Sequence, residues 1–171
     1  MYTVPERLHA AMEARCAALP IQARHLVVAA EIPFEESPLP EGVRAVLAYD
    51  EGAFRLTVSS TVGDKTQNQI YAKALAHLLL HSDRFHDGEA WVDGDAAHSV
   101  LYAPVAIGEA EDNAATLLAI EILVPTKVLR QQFLYHQGNL AKIAQGFQVP
   151  TEVVRAACVR RGMLDPRAKV A

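Results

Sequence analysis

An α+β fold, a small β-sheet packed against a mainly helical bundle, is the architecture this sequence predicts. Three observations lead to it. Apolar residues recur at helical spacing up to Ala30. Two β-patterned runs then flank a turn at Asp50-Glu51-Gly52. From Thr66 onward, Ala- and Leu-rich stretches return to helical spacing and are interrupted by Pro125 and Pro150. Helices, then a short sheet, then helices, is the order of an α+β domain and not of repeated βαβ units.

Pro5 suits a first helical turn, and Leu8, Met12, Cys16 and Leu19 follow on one helical stripe that Pro20 closes. A second short helix is expected over 22–30. Ser37-Pro38-Leu39-Pro40-Glu41-Gly42 then reads as a connection. Val43 to Tyr49 and Phe54 to Ser59 form the arms of a β-hairpin, with Gly52 at a left-handed turn position. Asp64 is a suitable N-cap for a helix over 66–81. The stretch 86–107 carries Gly88, Gly94 and Pro104 and is expected to be irregular. Helices are expected over 111–123, 126–136, 139–147 and 151–162. The chain therefore divides into an N-terminal helix (1–20), a core (21–125) and a C-terminal helical part of the same domain (126–171).

Hydrophobic residues make up 51% of the 171 and charged residues 21%, which suffices for a packed core and confines expected disorder to the ends. A net charge of -4 speaks against a surface built to grip phosphate backbones. Cys16 and Cys158, without a CxxC, supply neither a disulfide framework nor a cysteine zinc site. No basic start followed by an apolar block opens the chain, and no apolar run reaches the length of a membrane span, so a cytoplasmic location is expected.

The chemistry concentrates between Tyr71 and His81. Residues four apart stack on one helix face, so Lys73, His77 and His81 share a face. Two histidines at this spacing can chelate one metal ion, and in HExxH peptidases the Glu after the first His is the general base. Here His77-Leu78-Leu79-Leu80-His81 has a leucine where that base would stand. A third ligand is also needed, and the pair alone names none.

The surrounding residues are similar to the ImmA/IrrE family. Its helix pattern, close to AHELGHxLLH, matches His77-Leu78-Leu79-Leu80-His81 at its tail. The resemblance puts His77 at the second zinc histidine, Lys73 at the first and Ala74 at the catalytic glutamate. Glu109 to Pro125 resembles the pattern ExxANxFAAELLMP, with Asn113 and Leu123-Val124-Pro125 setting the register and Glu109 as the third zinc ligand. Leu140 to Pro150, with Val154 and Gly162, resembles LAxxFxVSxxxVxxRLxxLG. The resemblance implies a zincin-like fold over about 25–163.

It also implies a degenerate site. Lysine, protonated near neutral pH, has no lone pair for a metal, and alanine moves no proton. No metal or other cofactor is then expected, His77 and Glu109 being remnant ligands, and Lys73 and Glu109 are expected to form a partly buried ion pair. The implied role is protein binding in a bacterial or phage regulatory or stress circuit, with a helix-turn-helix repressor or antitoxin-like regulator as partner. One alternative is an active zinc metalloendopeptidase that cleaves a repressor through His77, His81 and Glu109, with Glu111 as base.

Another alternative is DNA binding through 139–162. Residues 140–154 resemble a helix-turn-helix, and Arg155, Arg160, Arg161 and Arg167 could touch phosphates. The second helix offers no Asn or Gln to base edges, so nucleic acid is not the expected partner. His86, Asp87, Asp93, Asp95 and His98 match no metal-site spacing and are expected to be solvated loop residues, with Trp91 anchoring the loop or facing a partner. Ser59-Ser60-Thr61 lacks a nucleophile elbow.

Overall fold

The computed structural model describes residues 4–15, 19–94, 102–165 and 167. Helices α1 (Val4–Arg15) and α2 (Ala23–Ala29) precede strands β1 (Phe34–Ser37), β2 (Val43–Asp50) and β3 (Ala53–Ser59). Helix α3 (Asp64–His81) and a short 3-10 turn (Ser82–Arg84) lead to β4 (Glu89–Gly94) and β5 (Ala103–Pro104). Helices α4 (Glu109–Leu123), α5 (Thr126–Tyr135), α6 (Leu140–Phe147) and α7 (Thr151–Arg160) complete the α+β fold. Cys16, Asp95 and His98 lie outside the described residues. No described helix is long and apolar enough to cross a membrane.

The sheet order is β1-β3-β2-β4-β5. β2 and β3 form the expected hairpin, with Asp50 opposite Ala53. Glu51 and Gly52 both have positive φ, 50° and 77°, the combination that a right-twisted two-residue hairpin turn requires. Three strands escaped the sequence pattern. β1 runs parallel to β3 from within the proline-flanked stretch. β4 and β5 lie in the stretch expected to be irregular, and β4 pairs antiparallel with β2 over Val43 to Tyr49. β1 and β5 are short edge strands and β4 is six residues long; bounded by Pro and Gly, they carry too little alternation to read as strands. Their partners lie far away in sequence.

α3 is the centre of the molecule. Ile70, Tyr71, Ala72, Ala74, Leu75, Ala76, His77 and Leu78 are all buried, so the helix is covered on nearly every side. It begins at Asp64, which sits in the first turn, where a carboxylate meets the positive end of the helix dipole. Gly63 takes the cap position that sequence pattern assigned to Asp64. α2 and α4 pack along its flanks and the sheet covers another side.

One buried side chain ties α2 to α3. Gln22, the N-cap of α2, makes no capping hydrogen bond through its side chain. Asn68 of α3 does the work instead. Its Oδ1 accepts from the Ala23 N–H at 2.7 Å, and its Nδ2 donates to the Ile21 carbonyl at 2.9 Å. Asn68→Leu should therefore destabilise the fold by about 1–3 kcal/mol, because two buried backbone groups lose their partners. Asn68→Asp keeps the acceptor but loses the donor and should also destabilise. Urea unfolding of the two variants checks both.

Candidate functional site: a charge network between two helices and the sheet

β4 aims two side chains at α3. Period-two alternation puts Trp91 and Asp93 on one face of the strand, and both are buried. A bulge in β2 between Val43 and Ala45 makes Arg44 the extra residue beside them. Its guanidinium meets the Asp93 carboxylate side-on, Nε to Oδ2 at 2.9 Å and Nη2 to Oδ1 at 3.1 Å. Asp93 is 4% exposed and so is a buried charge, not the solvated loop residue its neighbourhood suggested. His86 and Asp87 are exposed, as expected.

α4 brings the second carboxylate. Asp112 Oδ2 accepts from Lys73 Nζ at 2.8 Å. Its Oδ1 lies 3.2 Å from His77 Nε2 and 3.3 Å from Trp91 Nε1. Lys73 also approaches Asp93 at 3.6 Å and stands 5.5 Å from the centre of the Trp91 ring, within cation–π range. Trp91 stacks on His77 at 4.4 Å between ring centres. His77 Nδ1 and His81 Nδ1 are 3.3 Å apart. An ionised Asp112 can only accept, so His77 carries its proton on Nε2. Its Nδ1 then accepts from His81.

The electrostatics follow from this packing. Burial pushes the His77 imidazolium down to a pKa of about 4. His81 and Lys73 push the same way, and Asp112 opposes them. Burial would raise the Asp112 carboxyl, but the hydrogen bond and charge of Lys73 and the Trp91 N–H outweigh it and hold it below the usual range.

The third carboxylate assigned from sequence lies elsewhere. Glu109 is exposed at the first position of α4, on the rim of a 310 Å³ recess that Trp91 and Asp112 also line. The expected Lys73–Glu109 ion pair is therefore corrected: the partner of Lys73 is Asp112. Glu111 accepts from the Gly108 N–H at 2.9 Å at the start of α4 and pairs with Arg84. The Gly108 hydrogen bond above all, helped by Arg84, lowers its carboxyl. That is a capping role. His77, His81 and Glu109 do not converge on one point.

Beside this network lies a cleft of about 330 Å³ between α3, α4, α7 and the sheet. Arg44, Lys73 and Asp93 form its polar side. Ile70, Ile120, Leu123 and Val153 form its apolar side, and Glu152 lies at its margin. α7 is the wall of this cleft. It buries Val153, Val154, Ala157 and Cys158, and Arg161 just beyond it is buried against Glu121 at 2.6 Å. Arg161, one of the arginines considered for phosphate contact, is paired with Glu121 here.

A family model described as the IrrE N-terminal-like domain matches residues 29–158. The chain belongs to that family. A comparison with curated proteins finds none that matches. Within this IrrE-like domain, the pattern ExxANxFAAELLMP can be counted back from Pro125 without a gap. Its leading acid then falls on Asp112, three residues beyond Glu109, with Ala115, Ala119, Glu121 and Leu123 in register. The geometry supports this register, because Asp112 is the acid that faces Lys73 and His77.

Zinc, the metal the family implies, needs donors with free lone pairs. Lys73 has none, and its ammonium already holds the Asp112 oxygen that would turn to a metal. Among the described residues no group of three or more His, Cys, Asp and Glu side chains is arranged to hold a metal ion. The residues present do not fit zinc. Ala74, which the resemblance puts at the base position, is fully buried and carries no proton-transferring group.

Two measurements test this network. Lys73→Met should destabilise by about 2 kcal/mol, between an exposed pair and a buried one, since Lys73 is one-fifth exposed and Asp112 over one-third. Urea unfolding reads it. For His77, the folded pKa lies below the ordinary 6.5, so the unfolded chain takes up the proton first as pH falls. Stability should be full above about pH 6.5 and decline from there towards pH 4, by up to roughly 3 kcal/mol. His77→Gln should flatten that part of the stability–pH curve.

Proposed function

We propose that this IrrE-like domain is a non-hydrolytic member of its family that acts by binding a protein partner in a regulatory circuit. The observation that carries the reading is the 2.8 Å ion pair between Lys73 and Asp112, two residues that the resemblance puts at ligand positions. Hydrolysis by a zinc peptidase needs a metal-bound water and a base beside it. Here an ammonium stands at one ligand position and a methyl group at the base position. What remains is a 330 Å³ cleft, apolar on one side and charged on the other, a chemistry suited to a peptide segment. A helix-turn-helix repressor or an antitoxin-like regulator is the partner class that the family suggests.

Protein purified without chelator and analysed for metals should carry far less than one zinc per chain, and zinc added to it should promote no cleavage of a helix-turn-helix repressor. Near-stoichiometric zinc that disappears in His77→Ala would overturn the reading and restore a working metal site.

A further inference from the structure

We infer that the ammonium of Lys73 is the built-in cation of this site, a covalently attached substitute for a metal ion that holds α3, α4 and β4 together. The inference rests on the metal-free reading above and adds a structural role to it. Four observations carry it. First, Lys73 is not a surface lysine, because its side chain is only 20% exposed. Second, its Nζ, carried on α3, is met from two other elements, by Asp112 of α4 at 2.8 Å and by Asp93 of β4 at 3.6 Å. Third, Asp112 is shared between the ammonium on one oxygen and His77 on the other. A carboxylate and an imidazole thus remain side by side, as they would beneath a shared ion. Fourth, signs alternate along Arg44, Asp93, Lys73 and Asp112, so that two carboxylates are balanced by two cations. Without the Lys73 ammonium, Asp93 would keep Arg44 as its cation, and Asp112 would have none. Leaving a part-buried carboxylate uncompensated is destabilising.

The same geometry says which single substitution would exchange one cation for the other. Lys73 and His77 are one helical turn apart, and Asp112 already lies against both. Lys73→His should therefore create two imidazoles and a carboxylate around one point, the ligand number of a catalytic-type zinc site. Ala74 is better left alone, since it is fully buried and a glutamate there would have to find room.

The experiment follows the melting temperature and zinc binding of the full chain. Lys73→Met should melt well below the parent, and zinc chloride should not move it. Lys73→His should also melt low without metal. With zinc it should recover and bind one ion per chain by calorimetry. Adding Asp112→Asn to Lys73→His should abolish that binding, whereas adding Glu109→Gln should leave it unchanged. If Lys73→His does not fold, Asp112→Asn in the parent background decides. It should lower the melting temperature as Lys73→Met does, and the two together should cost little more than either alone.

A parent-like melting temperature for Lys73→Met or Asp112→Asn overturns the inference while leaving the non-hydrolytic reading intact. So does a Lys73→His protein that folds but binds no zinc, or binds it through Glu109. Stoichiometric zinc in the parent itself overturns the earlier reading, and this inference with it.

Discussion

The carboxylate of Asp112 is the constraint on which the site depends. It accepts from an ammonium, an indole N–H and an imidazole N–H, one group from β4 and two from α3. These bonds fix more than their own energies. His77 is completely buried, so both of its ring nitrogens need partners. Asp112 supplies the acceptor for one, and that choice makes the other an acceptor for His81. A polar chain several residues long is thereby satisfied from one end. Moving Asp112 would leave Lys73 with only the longer contact to Asp93 and would take the acceptor from His77 Nε2, removing what fixes the tautomer of the histidine pair. This is why a partly exposed acid has consequences for a buried core.

The charges also shape the neighbouring cleft. Arg44 is placed by a bulge, Asp93 by strand alternation and Lys73 by helical spacing, three independent local devices that meet in one wall. The opposite wall belongs to α4 and α7. α7 is held there by its apolar residues and by the buried contact of Arg161 with Glu121, which anchors the C-terminal helices to the helix that carries Asp112. The resemblance of α6 and α7 to a helix-turn-helix is thus local. α7 packs through Val153, Val154, Ala157 and Cys158, and its other face carries Glu152, Arg155 and Arg160.

The hairpin, α3 and the four C-terminal helices were legible from the sequence because each has a period. Alternation shows in Val43 to Ser59, and helical spacing shows from Thr66 onward. Lys73 and His77 were placed on one face for the same reason. β1, β4 and β5 were not legible, because two to six residues without clean alternation become strands only when a remote partner pairs with them. Asp93 was misread with them. Nothing local marks a buried aspartate until Arg44 and Lys73 stand beside it.

The choice between Glu109 and Asp112 marks the boundary most clearly. The two lie three residues apart on α4, hence on nearly the same side of the helix and separated by only about 4.5 Å along its axis. Periodicity cannot tell them apart. A one-turn slide of α4 along α3 would exchange them, and what prevents that slide is the packing of Ala115, Ala119, Ile122 and Leu123 in the core. The sequence by itself determined which side chains stand on this helix: a lysine that has no lone pair while protonated, followed by an alanine with no titratable group. Only the tertiary structure decided which acid answers the lysine, because the answer depends on how far one helix is shifted along another.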